Sequence, residues 1–133
     1  MIVLDTNALV WVTVDDRRLG RKAGALVDRH WTAGKIAVSA IAFWEIGLLE
    51  TRRQLRLPAP LREWRRSLLD AGVIELPIDG SIALRSLELS GLPDDPADRF
   101  IVATALEHGA AVMTADEKIL DWRHAPERHD ARV

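Results

Sequence analysis

Short apolar segments alternate with longer amphipathic segments along most of this chain, and that alternation restricts the folds open to it. The apolar segments have the length of strands, and the segments between them place their apolar residues at helical spacing. Strands that alternate with helices form a parallel sheet with helices on both faces. The sequence therefore predicts an α/β fold, with strands at Ile2–Leu4, Ile36–Val38, Val73–Leu76 and Ala111–Met113.

Capping residues and helix breakers mark where the helices begin and end. Ser39 is expected to cap a helix from Ala40 to about Arg53, and Asp79 to cap one that runs through Ser90. Mostly polar residues after Asp121 predict one weak edge strand and a frayed tail. The remaining predicted helices begin near Thr6, cover Lys22–Trp31, Leu61–Ala71 and Ala97–His108, and follow Thr114.

Composition limits the class of protein further. A length of 133 residues predicts a single domain, 1–133, and the absence of cysteine excludes disulfides and thiolate metal sites. The longest mostly apolar stretch, Ile36–Leu49, is shorter than the roughly 20 residues that span a bilayer. We see no secretory signal at the N-terminus. We therefore expect a cytoplasmic protein without membrane contact.

Four carboxylates lie at strand ends or in the early turns of helices, where the local pattern points inward. They are Asp5, Glu45, Asp98 and Asp116. Removing an unpaired charge from water costs several kcal/mol, so four inward acids on separate elements indicate a common function. In open parallel sheets, sites form at the carboxyl ends of strands, where these acids can converge. Ligand sets made only of oxygen favour Mg²⁺ or Mn²⁺ over Zn²⁺.

Each acid also has a structural interpretation. Asp5 can cap the following helix, and Asp98 can sit favourably in the first turn of a helix that Asp95 caps. Thr114 and Glu117 resemble a capping box around Asp116. Glu45 lies along an apolar helical stripe, so an ion pair with an arginine is its main structural alternative.

Other sequence features exclude several site types. The chain has no G-x-S-x-G, P-loop or G-x-G-x-x-G motif, and its histidines lack zinc spacing. Its net charge of −2 argues against a dedicated duplex-DNA binder. Three arginine-rich clusters suit phosphate contacts, although solvated helix faces explain each cluster as well. The clusters are Arg17–Lys22, Arg52–Arg56 and Arg62–Arg66.

Four blocks of the sequence resemble the PIN-domain ribonucleases, and most of all the VapC type, the toxin half of bacterial toxin–antitoxin pairs. The blocks are Val3–Asn7, Ser39–Ile46, Asp95–Ala105 and Met113–Asp116, and the likeness runs from Ile2 to about Leu120. The resemblance implies a three-layer α/β/α sandwich around a central parallel sheet. It also implies a metal site built from the four acids.

The same resemblance implies a function. Asp5, Glu45, Asp98 and Asp116 would serve as catalytic and metal-binding residues for Mg²⁺ or Mn²⁺, with the Thr6 and Thr114 hydroxyls supporting the site. Arg99 is the arginine closest in sequence to an acid, which makes it a candidate contact for RNA phosphates. We therefore expect a metal-dependent endoribonuclease that acts as a toxin, binds a cognate antitoxin and forms a homodimer.

Three other functions remain to be weighed. A housekeeping PIN-type RNA-processing nuclease would share the site without the toxin role. A phospho-receiver-like interaction module would need an acceptor aspartate after a middle strand. That aspartate is missing here, because Ala37-Val38-Ser39 runs directly into a predicted helix. A phosphatase with Asp5 as nucleophile would need a second aspartate at position 7, where this chain has Asn7.

The helices 40–53 and 61–71 are apolar on more than one side, which suits either a core or a partner surface.

Overall fold

The computed structural model describes residues 1–133, and its centre is a five-stranded sheet whose paired strands are all parallel. The strand order is β3-β2-β1-β4-β5, so β1 is the middle strand. The strands are β1 (Ile2–Leu4), β2 (Ile36–Ser39), β3 (Ile74–Leu76), β4 (Ala111–Thr114) and β5 (Arg128–Asp130). The expected parallel sheet is confirmed.

Seven helices connect and cover the strands, as expected for an α/β/α sandwich. Most bounds lie within a few residues of the predicted ones. The helices are α1 (Thr6–Thr13), α2 (Arg21–Thr32), α3 (Ile41–Thr51), α4 (Leu61–Asp70), α5 (Gly80–Leu87), α6 (Pro96–Glu107) and α7 (Glu117–Leu120). None of them is long and apolar enough to span a membrane.

The two faces of the sheet have separate cores because successive strand residues point to opposite sides. Leu4, Val38 and Met113 belong to one core, which α1, α2, α3 and α4 cover. Val3 and Val112 belong to the other, which α5, α6 and α7 cover. Strands buried on both faces explain why the sequence shows continuous apolar runs rather than alternation.

Two predicted helix boundaries are wrong. Ser39 is the last residue of β2, and Ala40 occupies the cap position of α3 without a side-chain cap. The Ser39 hydroxyl still accepts a hydrogen bond from the Ile41 N–H at 3.3 Å. Helix α5 ends at Leu87 and not at Ser90, because the chain turns there toward the positive-φ residue Gly91.

The chain after Asp121 contains the expected edge strand, but the prediction of a frayed tail is wrong. Strand β5 pairs with β4, and Ala131 is fully buried. The Gly20 N–H donates to the Ala131 carbonyl at 2.8 Å, and the Lys22 N–H donates to the Val133 carbonyl at 3.1 Å. These hydrogen bonds fasten the tail to the start of α2, a contact between distant segments that the polar composition did not reveal.

Candidate active site

A cavity of about 260 Å³ lies at the carboxyl edge of the sheet, and five carboxylates line it. Four are the predicted acids Asp5, Glu45, Asp98 and Asp116, and the fifth is Asp95. The remaining lining residues are Thr6, Asn7 and Leu49. The structure thus brings the four predicted acids together from α3, α6 and the ends of β1 and β4, and no lysine, arginine or histidine lines the cavity.

Asp5 follows β1 directly and is almost completely buried. It caps α1, since its Oδ1 accepts a hydrogen bond from the Ala8 N–H at 2.8 Å. Burial raises the pKa of Asp5 to about 6, the Thr114 hydroxyl and the Ala8 N–H oppose that shift, and the charges of Glu45 and Asp116 add to it. The capping interpretation and the site interpretation of Asp5 therefore hold together: one oxygen caps the helix while the carboxyl faces other acids.

Asp98 occupies the first turn of α6, with Asp95 as the cap and Pro96 at the first helical position, as the sequence indicated. Burial and, after it, the negative charges of Asp95, Asp116 and Asp5 together raise the pKa of Asp98 to about 8. Position in a helix's first turn favours a negative charge by only about 0.3–1 kcal/mol. The opposing effect of burial among like charges is larger, so helix capping does not explain why an aspartate is placed here.

Glu45 lies on α3, one turn inside the helix, and is half-buried. None of the ion pairs in the structure involves it, so the predicted alternative of an arginine partner is wrong. Burial raises the pKa of Glu45, the Thr6 hydroxyl, which is near the carboxylate but outside hydrogen-bonding geometry, lowers it, and the charge of Asp95 raises it. Glu45 is thus an inward carboxylate with acids, and not a cation, as charged neighbours.

Asp116 caps α7 itself, and the predicted capping box is wrong. Its Oδ1 accepts a hydrogen bond from the Lys118 N–H at 2.9 Å. The fully buried Thr114 accepts a hydrogen bond from the Asp116 N–H at 3.0 Å, which holds the turn between β4 and α7. Glu117 instead forms an ion pair with Arg132 at 3.2 Å. The box pattern failed because α7 starts later than Thr114 would require.

The Thr6 hydroxyl is the one buried side-chain polar atom that has no hydrogen-bond partner. Thr6 is 4% exposed, and it lines the acidic cavity. A buried hydroxyl without a partner costs about 1–3 kcal/mol. An orphaned donor beside carboxylates is typical of a site whose remaining partner is a bound ion, a water molecule or a substrate group.

The donor chemistry of this cavity fits a hard divalent cation. Carboxylate and hydroxyl oxygens are the ligands that Mg²⁺ and Mn²⁺ prefer, and nothing in the cavity wall neutralises the acids. The carboxylates are spread around the cavity, and no three of them are gathered closely enough to hold one ion as they stand. Asp5, Glu45, Asp98 and Asp116 would therefore hold an ion through modest side-chain rotation or through water.

Arg99 does not line the cavity, which contradicts the expected role in contacting phosphate. Its side chain is 17% exposed, and its guanidinium donates to the carbonyls of Ser86, Leu89, Leu92 and Pro93 at 2.6–3.3 Å. These bonds tie the end of α5 to the loop that enters α6. Arg99 positions the loop that carries Asp95, and its donors are used inside the protein.

Asp95 and Asn7 line the cavity although the sequence did not mark either as a site residue. Asp95 was assigned a cap alone, and the structure gives it both roles. The signal was available in the spacing of Asp95 and Asp98, because residues three apart at a helix start share one face. Asn7, exposed in the first turn of α1, carries no comparable signal in a single sequence.

Known proteins are similar to this chain in both sequence and fold. A family model described as the PIN domain matches residues 2–124. Ribonuclease VapC22 of Mycobacterium tuberculosis is 32% identical over 124 residues, which are 92% of either chain. The family match covers all five carboxylates of the cavity.

Solved structures show the same fold at lower identity. A toxin–antitoxin complex from Klebsiella pneumoniae aligns with a TM-score of 0.65 and 22% identity, over 98% of both chains. VapBC2 from Rickettsia felis, bound to a DNA fragment from their promoter, aligns with a TM-score of 0.66 and 20% identity, over 98% of this chain and 100% of that one. On the family match and the identity to VapC22, the chain belongs to the PIN-domain family and, within it, to the VapC type.

Proposed function

We propose that this protein is a metal-dependent endoribonuclease that hydrolyses RNA phosphodiester bonds and acts as the toxin of a toxin–antitoxin pair. The observation that carries the proposal is the cavity lined by five carboxylates and by no cation. Such a cavity is unfavourable by itself, because like charges raise one another's pKa, and it becomes favourable around a divalent ion.

Asp5, Glu45, Asp98 and Asp116 would hold Mg²⁺ or Mn²⁺, with Thr6 and Thr114 supporting them. When bound, the ion supplies activation of a water molecule and stabilisation of charge on the leaving oxygen. Glu45 is suited to accept the proton of the attacking water, because it is only half-buried and its pKa is raised toward neutrality. The Ala8 N–H holds the Asp5 carboxylate in a fixed orientation. No side-chain nucleophile is required.

The choice of RNA, and of a toxin role, rests on relatives. The similar M. tuberculosis protein is a ribonuclease by name, and similar folds occur in toxin–antitoxin complexes. A cognate antitoxin would then be a partner, and an arginine from it could pair with the uncompensated acids. A cytoplasmic location suits such a pair.

Exposed apolar side chains support a protein partner and a homodimer. Five apolar side chains of α3 and α4 are buried in the core, where the Phe43 and Trp64 rings meet edge to face at 6.1 Å. Trp44, which is 54% exposed, is the one large apolar side chain of these two helices that is mostly exposed. Leu84 and Leu87 on α5 are 64% and 78% exposed, which makes α5 the better candidate for a homodimer surface.

Incubation of purified protein with structured RNA, with Mg²⁺, Mn²⁺ or EDTA, tests the nuclease. We expect cleavage with either metal, none with EDTA, and none for Asp116→Asn. Cleavage that persists under full chelation would overturn the mechanism. An inert protein under all conditions would favour a non-catalytic interaction module.

Expression in a bacterial host without any neighbouring gene tests the toxin role. We expect growth arrest by the wild type and normal growth with Asp5→Ala. Harmless accumulation of an active nuclease would contradict the toxin role and leave a housekeeping RNA-processing nuclease.

A further inference from the structure

A second hollow, of about 470 Å³, lies next to the acidic cavity and differs from it in charge. Its walls are the loop Ser90–Pro93 and the segment from α7 to His124. Lys118, Arg123 and His124 line it, and Asp121 is its only carboxylate. We call this feature the basic hollow.

The polar side chains of the basic hollow are free to meet a ligand. Lys118, Arg123 and His124 are exposed. None of them takes part in an ion pair or a side-chain hydrogen bond within the protein. Asp121 is also unpaired, and because it is the only carboxylate, the cationic groups outnumber the acidic ones in the hollow. Arg65, Arg85, Arg99 and Arg132, by contrast, are engaged in ion pairs within the protein.

The basic hollow adjoins the acidic cavity on two separate segments. On one segment, Asp116 lines the cavity and Lys118 lines the hollow, and the Lys118 N–H donates to the Asp116 carboxylate at 2.9 Å. On the other segment, Pro93 lines the hollow and Asp95 lines the cavity. On each segment a single residue separates the two lining residues, so the hollow and the cavity are neighbours.

The walls of the basic hollow are held in place by the fold. Trp122 is 7% exposed, and its indole N–H donates to the Ser90 carbonyl at 2.9 Å. Gly91 has φ +88, and a Cβ there would lie 3.5 Å from the indole nitrogen. The Arg99 guanidinium fixes the carbonyls of Leu92 and Pro93 on the same loop. The hollow is a preformed concavity and not a chance gap between mobile side chains.

We propose that the basic hollow binds an RNA phosphate that neighbours the phosphate cleaved in the acidic cavity. This inference rests on the proposed ribonuclease function and adds where the strand runs. A cavity whose charged side chains are all acids attracts a cation but repels a polyanion, so the strand needs cationic contacts close by. Lysine and arginine side chains without internal partners provide those contacts, and phosphate oxygens accept from them.

RNA binding by matched charge variants tests the proposal. Asp98→Asn, which blocks cleavage, serves as the background, and a fluorescein-labelled single-stranded RNA of mixed sequence is the probe in anisotropy titrations. The test variant is Lys118→Gln with Arg123→Gln. The control is Arg62→Gln with Arg66→Gln, two exposed and unpaired residues of α4 that change net charge equally. Lys118→Gln alone serves as a second test if the double variant folds poorly.

The test variant is expected to raise the Kd about tenfold at about 0.1 M KCl. The slope of log K against log salt should fall by about 0.7–1.4, because a neutralised phosphate of a single strand contributes about 0.7. The control should leave both unchanged. The proposal would be overturned by equal effects in the two variants or by no effect in either. Weaker binding of the test variant to a partner protein would not change that conclusion. If the wild type neither binds nor cleaves RNA, the proposed function itself fails.

Discussion

The carboxylate of Asp95 accepts a hydrogen bond from the Asp98 N–H at 3.3 Å, and both side chains belong to the wall of one cavity. A residue that caps a helix thus also adds negative charge beside the residue it positions. Burial is the largest cause of the raised pKa of Asp98 and of Glu45, and the negative charge of Asp95 adds to both shifts. Its charge and its capping role can be separated experimentally.

Asp95→Asn should keep the cap and weaken cation binding. Asparagine caps helices about as well as aspartate, so the melting temperature in EDTA should stay constant or rise. The rise in melting temperature that Mn²⁺ produces should shrink, because one carboxylate is lost from the cavity. Asp79→Asn, at the matching cap of α5, is the control and should change neither quantity. A wild-type response to Mn²⁺ in Asp95→Asn would mean that Asp95 serves the helix only.

The metal-free protein should lose stability as pH rises from about 4 to about 8. Over that range folded Asp98 retains a proton that the unfolded chain has lost, because its pKa is raised from 3.8 to about 8. The free energy of unfolding therefore falls with pH, and Asp98→Asn should flatten the curve and be more stable at the upper end. We expect a gain on the order of 2 kcal/mol after solvent screening, together with loss of cleavage.

Urea denaturation at several pH values in EDTA measures this dependence. A large loss of stability in Asp98→Asn would show that the charged carboxylate stabilises the fold, contrary to its surroundings.

Thr6→Val should stabilise the metal-free protein and impair the site. The Thr6 hydroxyl has no internal hydrogen bond to lose, so its removal should raise the free energy of unfolding by about 1 kcal/mol. Thr104→Val is the control, since the buried Thr104 hydroxyl donates to the Phe100 carbonyl at 2.7 Å and its removal should destabilise. Calorimetric titration with Mn²⁺ should show weaker binding for Thr6→Val and unchanged binding for Thr104→Val. Equal stability losses in both would contradict the orphaned state of Thr6.

Arg99→Met should destabilise the protein by about 2–4 kcal/mol, because the carbonyls that the guanidinium satisfies would lose their donor. Arg99→Lys should recover little, since an ammonium cannot reproduce the fork of donors. Arg85→Met removes an exposed ion pair with Glu107 and should cost less than about 1 kcal/mol. Chemical denaturation compares the three, and an Arg99→Met variant of normal stability that binds RNA poorly would restore the phosphate role.

Gly20→Ala should be destabilising by roughly 1–3 kcal/mol because the C-terminal tail has no room to accept it. A Cβ at Gly20 would lie 2.1 Å from the Val133 carbonyl carbon, so the tail backbone would have to move. Gly80→Ala, where a Cβ meets nothing within 4 Å, is the control and should be close to neutral. Amide hydrogen exchange of residues 128–133 should rise in Gly20→Ala alone. Unchanged protection there would contradict the docking of the tail.

The sequence was sufficient for those parts of the fold that follow from local pattern. Apolar runs placed β1, β2, β3 and β4, and capping residues such as Asp79 and Asp95 placed helix starts. The same logic placed the four acids at one edge, since carboxyl ends of parallel strands share an edge. These predictions required only knowledge of nearby residues.

What the sequence did not reveal depends on contacts between distant segments. The docking of the tail on Gly20 joins residues more than a hundred positions apart. The engagement of Arg99 by the Ser86 carbonyl of α5 and by three loop carbonyls is equally hidden in the sequence, and a rim arginine was the simpler expectation. Asp95 was missed for a different reason, because a sufficient local explanation as a cap concealed a second role.

The central position of β1 has a consequence for synthesis. Its residue Val3 pairs with Ala37 on one side and with Val112 on the other, so β1 gains its second neighbour only after more than a hundred further residues have been made. Nascent chains grow at about 5–20 residues per second, so Asp5 is present for several seconds before Asp116 exists. The carboxylates at this edge of the sheet therefore cannot all come together on a growing chain before β4 and Asp116 have been made.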